Sequence, residues 1–139
     1  MNKYNAVKYA ELINTYLYLI KNYGFDSVSK IIYTTICLDY CKKINCSTTK
    51  KNDVMSFYFS EAKKGDCMTY NNLKIAINSM QLLIDNHVVK SNGRHLELIN
   101  KDVTLVNDKD LEKVSIQKFL EEVKNLSLKS FLTEVYDCV

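Results

Sequence analysis

The chain has 139 residues, of which 47% are hydrophobic and 25% charged, a composition typical of one ordinary globular domain. Its net charge of +3 falls well short of the basic footprint of a dedicated nucleic-acid binder. No stretch reaches the about 18 apolar residues of a transmembrane helix, and the N-terminus lacks the apolar stretch of a signal peptide, so we expect one cytoplasmic domain over residues 1–139.

The absence of proline and the presence of only three glycines favour a mainly helical chain, because proline interrupts helices. Apolar residues at helical spacing predict a first helix over about 5–23, with Gly24 as its C-cap. Asp26 or Ser27 is expected to cap a second helix over about 28–43. This second helix is apolar over most of its circumference, so we expect it to be central.

Beyond a polar connection at 44–52, the stretch 53–99 has the order helix, helix, hairpin that is typical of a winged helix. A short helix is predicted over about 53–65, and Thr69 is expected to cap a longer one over about 70–86. The apolar residues of this longer helix are Leu73, Ile75, Ala76, Ile77, Met80, Leu83 and Ile84.

Asn92 and Gly93 give the sharpest local signal, since both central residues of a type I′ turn need positive φ. They predict a hairpin over 88–98 in which Lys90 pairs with His95. One face of the hairpin is then apolar and the other polar, as a wing that lies on a core requires. The apolar face consists of Val89, Leu96 and Leu98.

Two further helices are predicted after the hairpin. The first begins at Asn107 or Asp108 and continues through about residue 126, and Ser127 caps the second. The second helix has a complete stripe of apolar residues at helical spacing. The stripe consists of Leu128, Phe131, Leu132 and Val135.

These elements predict a mainly α fold: a winged-helix-like helical domain with one β-hairpin and C-terminal helices. Its winged-helix-like core covers about 26–99 and its C-terminal helices about 108–137. The sequence has no Gly-rich phosphate loop and no metalloprotease or kinase signature, and neither His87 nor His95 has a Ser or Cys partner at a recognisable spacing. We therefore expect a protein that is not an enzyme and has no cofactor.

Cys37 and Cys41 are four residues apart on a predicted helix, and Cys46 follows in the connection. This spacing allows two thiolates on one side of a metal ion, with a fourth ligand from elsewhere in the chain. The alternative, which we favour, is three small hydrophobic residues on or near a buried helix. Without a signal peptide, the five cysteines are expected to stay reduced.

The helix over 70–86 occupies the place of the helix that a winged helix inserts into the major groove. Its Asn and Gln side chains suit adenine, and its lysine suits guanine or phosphate. With the preceding helix and the wing, the predicted DNA-contacting residues are Lys63, Lys64, Lys74, Asn78, Gln81, Lys90 and Arg94. Because this set has few cations, we expect any contact with DNA to be weak and salt-sensitive. A solvated polar face and a protein-binding face are the alternatives.

The last helix suggests a second interaction surface. Its apolar stripe either completes the domain core or docks on another protein as a helix in a groove. The residues that would make such a contact are Phe131, Leu132, Val135 and Tyr136.

The order of elements resembles a known family. The residues that carry the resemblance are the apolar segment 29–40, the Leu-Leu-Ile-Asp-Asn-His-Val-Val run at 82–89 with its hairpin, Phe119-Leu120, and the closing segment 128–135. Together they resemble the small middle component of bacterial ABC-three-component systems, which include Lamassu-type antiphage defence. The resemblance implies a non-catalytic accessory subunit whose partners are an SMC-like ABC ATPase and an effector, often a nuclease.

Two other functions fit the same residues. The first is a winged-helix DNA-binding transcriptional regulator that reads double-stranded DNA through Lys74, Asn78, Gln81 and Arg94. The second is a small phage or plasmid inhibitor protein.

Overall fold

The computed structural model of the chain describes residues 3–43, 54–93 and 95–138. Within these ranges the chain is mainly helical with a two-stranded hairpin and C-terminal helices, which confirms the predicted fold class. The helices are α1 (Lys3–Tyr23), α2 (Val28–Lys43), α3 (Val54–Lys64), α4 (Tyr70–Asp85), α5 (Val114–Asn125) and α6 (Leu128–Cys138). The strands are β1 (Val89–Asn92) and β2 (His95–Leu98), and a short 3-10 helix covers Lys109–Glu112. The predicted connection at 44–52, the helix start at Asp53, and Arg94 lie outside the described residues.

The predicted helix caps are confirmed. Gly24 ends α1 with a φ of +70°, which glycine adopts at little cost. Ser27, rather than Asp26, caps α2 by accepting the backbone amide three residues ahead at 3.4 Å. Thr69 and Ser127 accept the equivalent amides of α4 and α6 at 3.2 Å and 3.1 Å. Local side-chain chemistry therefore sets these four helix ends.

The single helix predicted over about 108–126 is wrong, because the chain breaks at Lys113. Lys113 has an extended backbone (φ −61°, ψ 136°) and separates the 3-10 helix from α5. In one continuous helix, Leu111 and Ile116 would lie about 140° apart around the axis and would not face the same core. The break allows both side chains to be buried.

The hairpin pairs two residues away from the predicted register, which is therefore wrong. Lys90 lies opposite Glu97 instead of His95, and Asn92 is a strand residue opposite His95. The positive φ falls at Gly93, at +67°, so the turn begins there. The observed register places opposite charges across the strands, which is favourable. Because side chains alternate with a period of two, each one stays on its predicted face. The apolar face still consists of Val89, Leu96 and the half-buried Leu98.

Helix α2 is central, as predicted. Its residues over 31–32 and 34–38 are all buried. Helices α1 and α4 pack on α2 and on each other, and we call them the α1–α4 group. Helices α3 and α6 also pack on α2, while α3 packs on α5 and α6; we call these three the α3–α5–α6 group. Thus α4, which follows α3 in sequence, has its main packing partners in α1 and α2.

Two charged side chains form hydrogen bonds with backbone groups at the ends of helices that are far from them in sequence. The Lys30 ammonium of α2 donates to the carbonyls of Lys124, at 3.2 Å, and Leu126, where α5 ends and a cation is favoured. The Glu122 carboxylate of α5 accepts the Met55 amide at 3.2 Å, in the first turn of α3, where an anion is favoured. These contacts fix α5 against both α2 and α3.

Helix α4 ends in a Schellman motif whose left-handed residue is His87 rather than glycine. The His87 amide donates to the Ile84 carbonyl at 3.1 Å, and the Val88 amide donates to the Leu83 carbonyl at 3.0 Å. His87 has a φ of +58°, a conformation that costs a residue with a Cβ about 1 kcal/mol. The sharp turn directs the chain into β1.

Replacing His87 with glycine should raise the free energy of unfolding by about 1 kcal/mol, because glycine adopts positive φ without this cost. Urea denaturation followed by circular dichroism measures the change. Asn86→Gly is the matched control, since Asn86 has a φ of −90° and gains nothing from glycine. A less stable His87→Gly variant would contradict the left-handed conformation of this residue.

Candidate interaction surface

Helix α4 is fixed by its inner face. Its buried residues Ala76, Ser79, Met80 and Leu83 face α1 and α2. The Tyr16 hydroxyl of α1 donates to the Ala76 carbonyl at 2.8 Å. Burial raises the pKa of the Tyr16 phenol above its ordinary value, so the hydroxyl keeps the proton it donates. The rotation of α4 about its axis, and hence the set of residues that face outward, follows from these contacts.

We define the α4 outer face as Tyr70, Lys74, Ile77, Asn78 and Gln81, all of which are exposed. Tyr70, Lys74, Ile77 and Gln81 fall within about 60° of arc around the helix. Lys74, Asn78 and Gln81 belong to the predicted DNA-contacting set, which the structure thus brings to one face. Tyr70 is 81% exposed and Ile77 is 54% exposed, so two large apolar side chains lie among the polar ones.

Sequence reasoning missed Tyr70 and Ile77 as surface residues. Ile77 stands beside Ile75 and Ala76 and reads as one of a run of apolar core positions. The signal that separates them is the helical angle: Ile77 lies about 100° from Ala76, on the side of Lys74.

Two of the five cations in the predicted DNA-contacting set lie next to a carboxylate. Lys90 of β1 lies directly across from Glu97. The Lys64 ammonium is 3.3 Å from the Glu61 carboxylate. These pairings offset two of the five predicted cations, while Lys63 and Lys74 are exposed.

Among the polar residues of the outer face, Gln81 is engaged within the helix. Its amide donates to the Asp85 carboxylate at 2.7 Å. Reading a base would require this hydrogen bond to break. A face with two apolar side chains and little net charge suits a protein surface better than a phosphate backbone.

The predicted partner-binding stripe on α6 is divided between core and surface. Phe131 and Val135 are buried within this chain, and the Phe131 ring lies 6.0 Å from the Phe59 ring of α3. Those two side chains complete the α3–α5–α6 group and are not open to a partner. Leu132 is half-buried, and Tyr136 is 69% exposed.

A cavity of about 560 Å³ lies between α1, α2 and the segment 106–110. Several of its polar groups are engaged in contacts within the chain. The Asn14 amide both donates to the Val106 carbonyl and accepts the Val106 amide, each at 2.9 Å. Lys42 forms an ion pair with Asp108. These contacts hold the segment across α1.

The cysteines form no metal centre in the described structure. Cys37, Cys41 and Cys67 are buried, and the Cys37 thiol donates to the Tyr58 carbonyl at 3.4 Å. No three His, Cys, Asp or Glu side chains of the described ranges are grouped so that they could hold a metal ion. Cys46 lies outside those ranges.

Comparisons with family models, with curated proteins and with solved structures gave no match. In the described part of the chain, none of the helices is long and apolar enough to span a membrane.

Cys67 lies in the turn before α4, where its carbonyl accepts the Asn72 side-chain amide at 2.8 Å. Burial raises the pKa of its thiol to about 11. At pH 8 the folded protein should therefore hold about one Cys67 thiolate in a thousand, and iodoacetamide should leave Cys67 unmodified. Peptide mass spectrometry resolves this residue from the other cysteines.

In guanidinium the same thiol should react quickly, because its pKa returns to about 8.5. The folded pKa lies above the unfolded one, so Cys67 lowers the stability of the fold as the pH rises from about 9 toward 11. Similar labelling of Cys67 with and without guanidinium would contradict the burial of this turn.

Proposed function

We propose that the chain is a non-catalytic accessory subunit of an SMC-like ABC ATPase complex of the antiphage defence type, acting in the cytoplasm. The partners in this proposal are the ATPase and an effector, often a nuclease. The proposed family rests on segments 29–40, 82–89 and 128–135, which resemble the small middle component of ABC-three-component systems. The α4 outer face is the surface at which we place the contact with the ATPase.

The observation that supports this surface is the exposure of Tyr70 and Ile77 on a well-anchored helix. Large apolar and aromatic side chains at the centre of a rigid face are typical of the residues that dominate protein–protein binding energy. Lys74 and Asn78 lie beside them and supply hydrogen-bond donors for a polar rim. A partner would thus bury apolar area without forcing this helix to rearrange.

A winged-helix DNA-binding regulator is the second candidate. It is supported by the common exposed face of Lys74, Asn78 and Gln81, which are residue types that contact bases and phosphates. The pairing of Lys90 with Glu97 and the exposed Ile77 count against it.

Ile77→Asp should weaken binding to the ATPase encoded by the neighbouring gene at least about tenfold, because a charge would replace an apolar contact at the centre of the interface. Co-purification of the tagged chain followed by titration calorimetry measures this. Val114→Asp is the matched control, since Val114 is 82% exposed at the start of α5, on a different surface. Both variants should keep the wild-type melting temperature within about 2 °C.

Equal affinities for wild type and Ile77→Asp would remove the α4 outer face from the proposal. Absence of any complex with the ATPase would remove the proposed function itself. Binding of a DNA duplex that Lys74→Glu abolishes, and that falls steeply with salt, would favour the second candidate.

A further inference from the structure

Strand β2 has a second edge, away from β1, that the chain covers over only part of its length. The Ile99 amide donates to the Val88 carbonyl at 3.0 Å. Because hydrogen-bonding directions alternate along an antiparallel strand, the backbone groups of Glu97 also point to β1, whereas those of Leu96 and Leu98 point away from it. The outer edge of β2 is therefore the side of Leu96 and Leu98.

A third strand begins on this outer edge and stops after one bridge. Ser27 forms an antiparallel bridge with His95, and the Leu96 amide donates to the Asp26 carbonyl at 2.8 Å. The preceding amides of Phe25 and Gly24 turn instead to carbonyls of α1, each at 3.1 Å. Among the described residues, no backbone group pairs with the outer side of Leu98.

The chain leaves a groove where the third strand would continue. The groove has a volume of about 390 Å³ and lies between β2 and the end of α1. Its apolar lining residues are Ile20, Phe25 and Leu96, which are buried, and Leu98, which is half-buried. Both backbone groups of Leu98, which pair with no described backbone group on this side, lie along one wall.

We propose that this groove binds an extended segment of a partner protein, which adds to β2 as an antiparallel strand. An amide and a carbonyl without partners on a strand edge are satisfied best by another extended backbone, which bonds to both groups of Leu98 at once. The antiparallel direction continues that of Asp26 and Ser27. The proposal does not depend on the identity of the protein that binds the α4 outer face.

The charges around the groove indicate which end of the segment is acidic. Asp26 pairs with His95 at one end, with the Asp26 Oδ2 3.3 Å from His95 Nδ1. At the other end are Lys21 and Lys101, and no described carboxylate lies within salt-bridge distance of either ammonium. Lys21 donates instead to the neutral carbonyl of Val103 at 2.7 Å. The remaining charged residue of the lining, Glu97, lies opposite Lys90 of β1. An antiparallel segment with acidic residues at its N-terminal end matches this arrangement.

The test uses the full chain and two synthetic octapeptides, Glu-Glu-Val-Thr-Val-Thr-Val-Thr and its counterpart with Lys-Lys at the start. Amide hydrogen exchange measured by NMR should show a rapidly exchanging Leu98 amide in the free protein. A saturating amount of the acidic peptide should slow that amide at least about tenfold, with little change at Glu97 and Ile99, which already pair with β1.

Charge variants test the direction of the segment. Lys101→Glu should weaken binding of the acidic peptide about fivefold or more and favour the Lys-Lys peptide. Lys129→Glu, the same substitution at an exposed position of α6, is the matched control and should leave both affinities unchanged. A slowly exchanging Leu98 amide in the free protein, or no added protection with either peptide, would overturn the proposal. Equal affinity for the two peptides would overturn the assigned orientation.

Discussion

Burial of α2 on nearly its whole circumference is the constraint on which the rest of the structure depends. Its residues over 34–38 are enclosed by α1 and α4 as well as by α3 and α6. The hydroxyls of Thr34 and Thr35 are buried without a hydrogen-bond partner, a cost of about 1–3 kcal/mol for each such group. The helix is therefore held by the packing of both groups of helices around it, and each group needs the other to cover α2.

This arrangement also determines which apolar side chains and backbone groups remain exposed. The apolar residues of α5 and α6 are directed mainly to α3, and Phe131 is completely buried. The exposed apolar side chains Tyr70 and Ile77 remain on α4, whose inner face is fixed by Tyr16. The outer edge of β2 remains open because Gly24 and Phe25 bond to α1 instead of extending a third strand. The two proposed interfaces are thus consequences of how the core is closed.

The sequence predicted the features that depend on local chemistry. The caps at Gly24, Thr69 and Ser127, the central place of α2 and the two faces of the hairpin were all predictable, because short-range hydrogen bonds and apolar periodicity determine them. The features set by tertiary contacts were not. The break at Lys113 allows Leu111 to be buried in a core formed by residues distant in sequence. The local sequence pattern does not predict this break.

On the candidate surface, too, the features set by local spacing were predictable and those set by tertiary contacts were not. Lys74, Asn78 and Gln81 were predictable as one exposed face, because helical spacing alone brings them together. The pairing of Lys90 with Glu97 depends on a register two residues from the one that Asn92-Gly93 predicts, so the loss of positive charge was not foreseeable. The exposure of Ile77 depends on which face of α4 meets α1 and α2.

Native-state hydrogen exchange across a series of guanidinium concentrations tests the central role of α2 most directly. The amides of residues 31–38 should exchange only through global unfolding, and the most protected amides of both helix groups should converge on the same unfolding free energy. If the α3–α5–α6 group lost its protection at clearly lower denaturant while α2 and the α1–α4 group kept theirs, α2 would not be the shared core that this account requires.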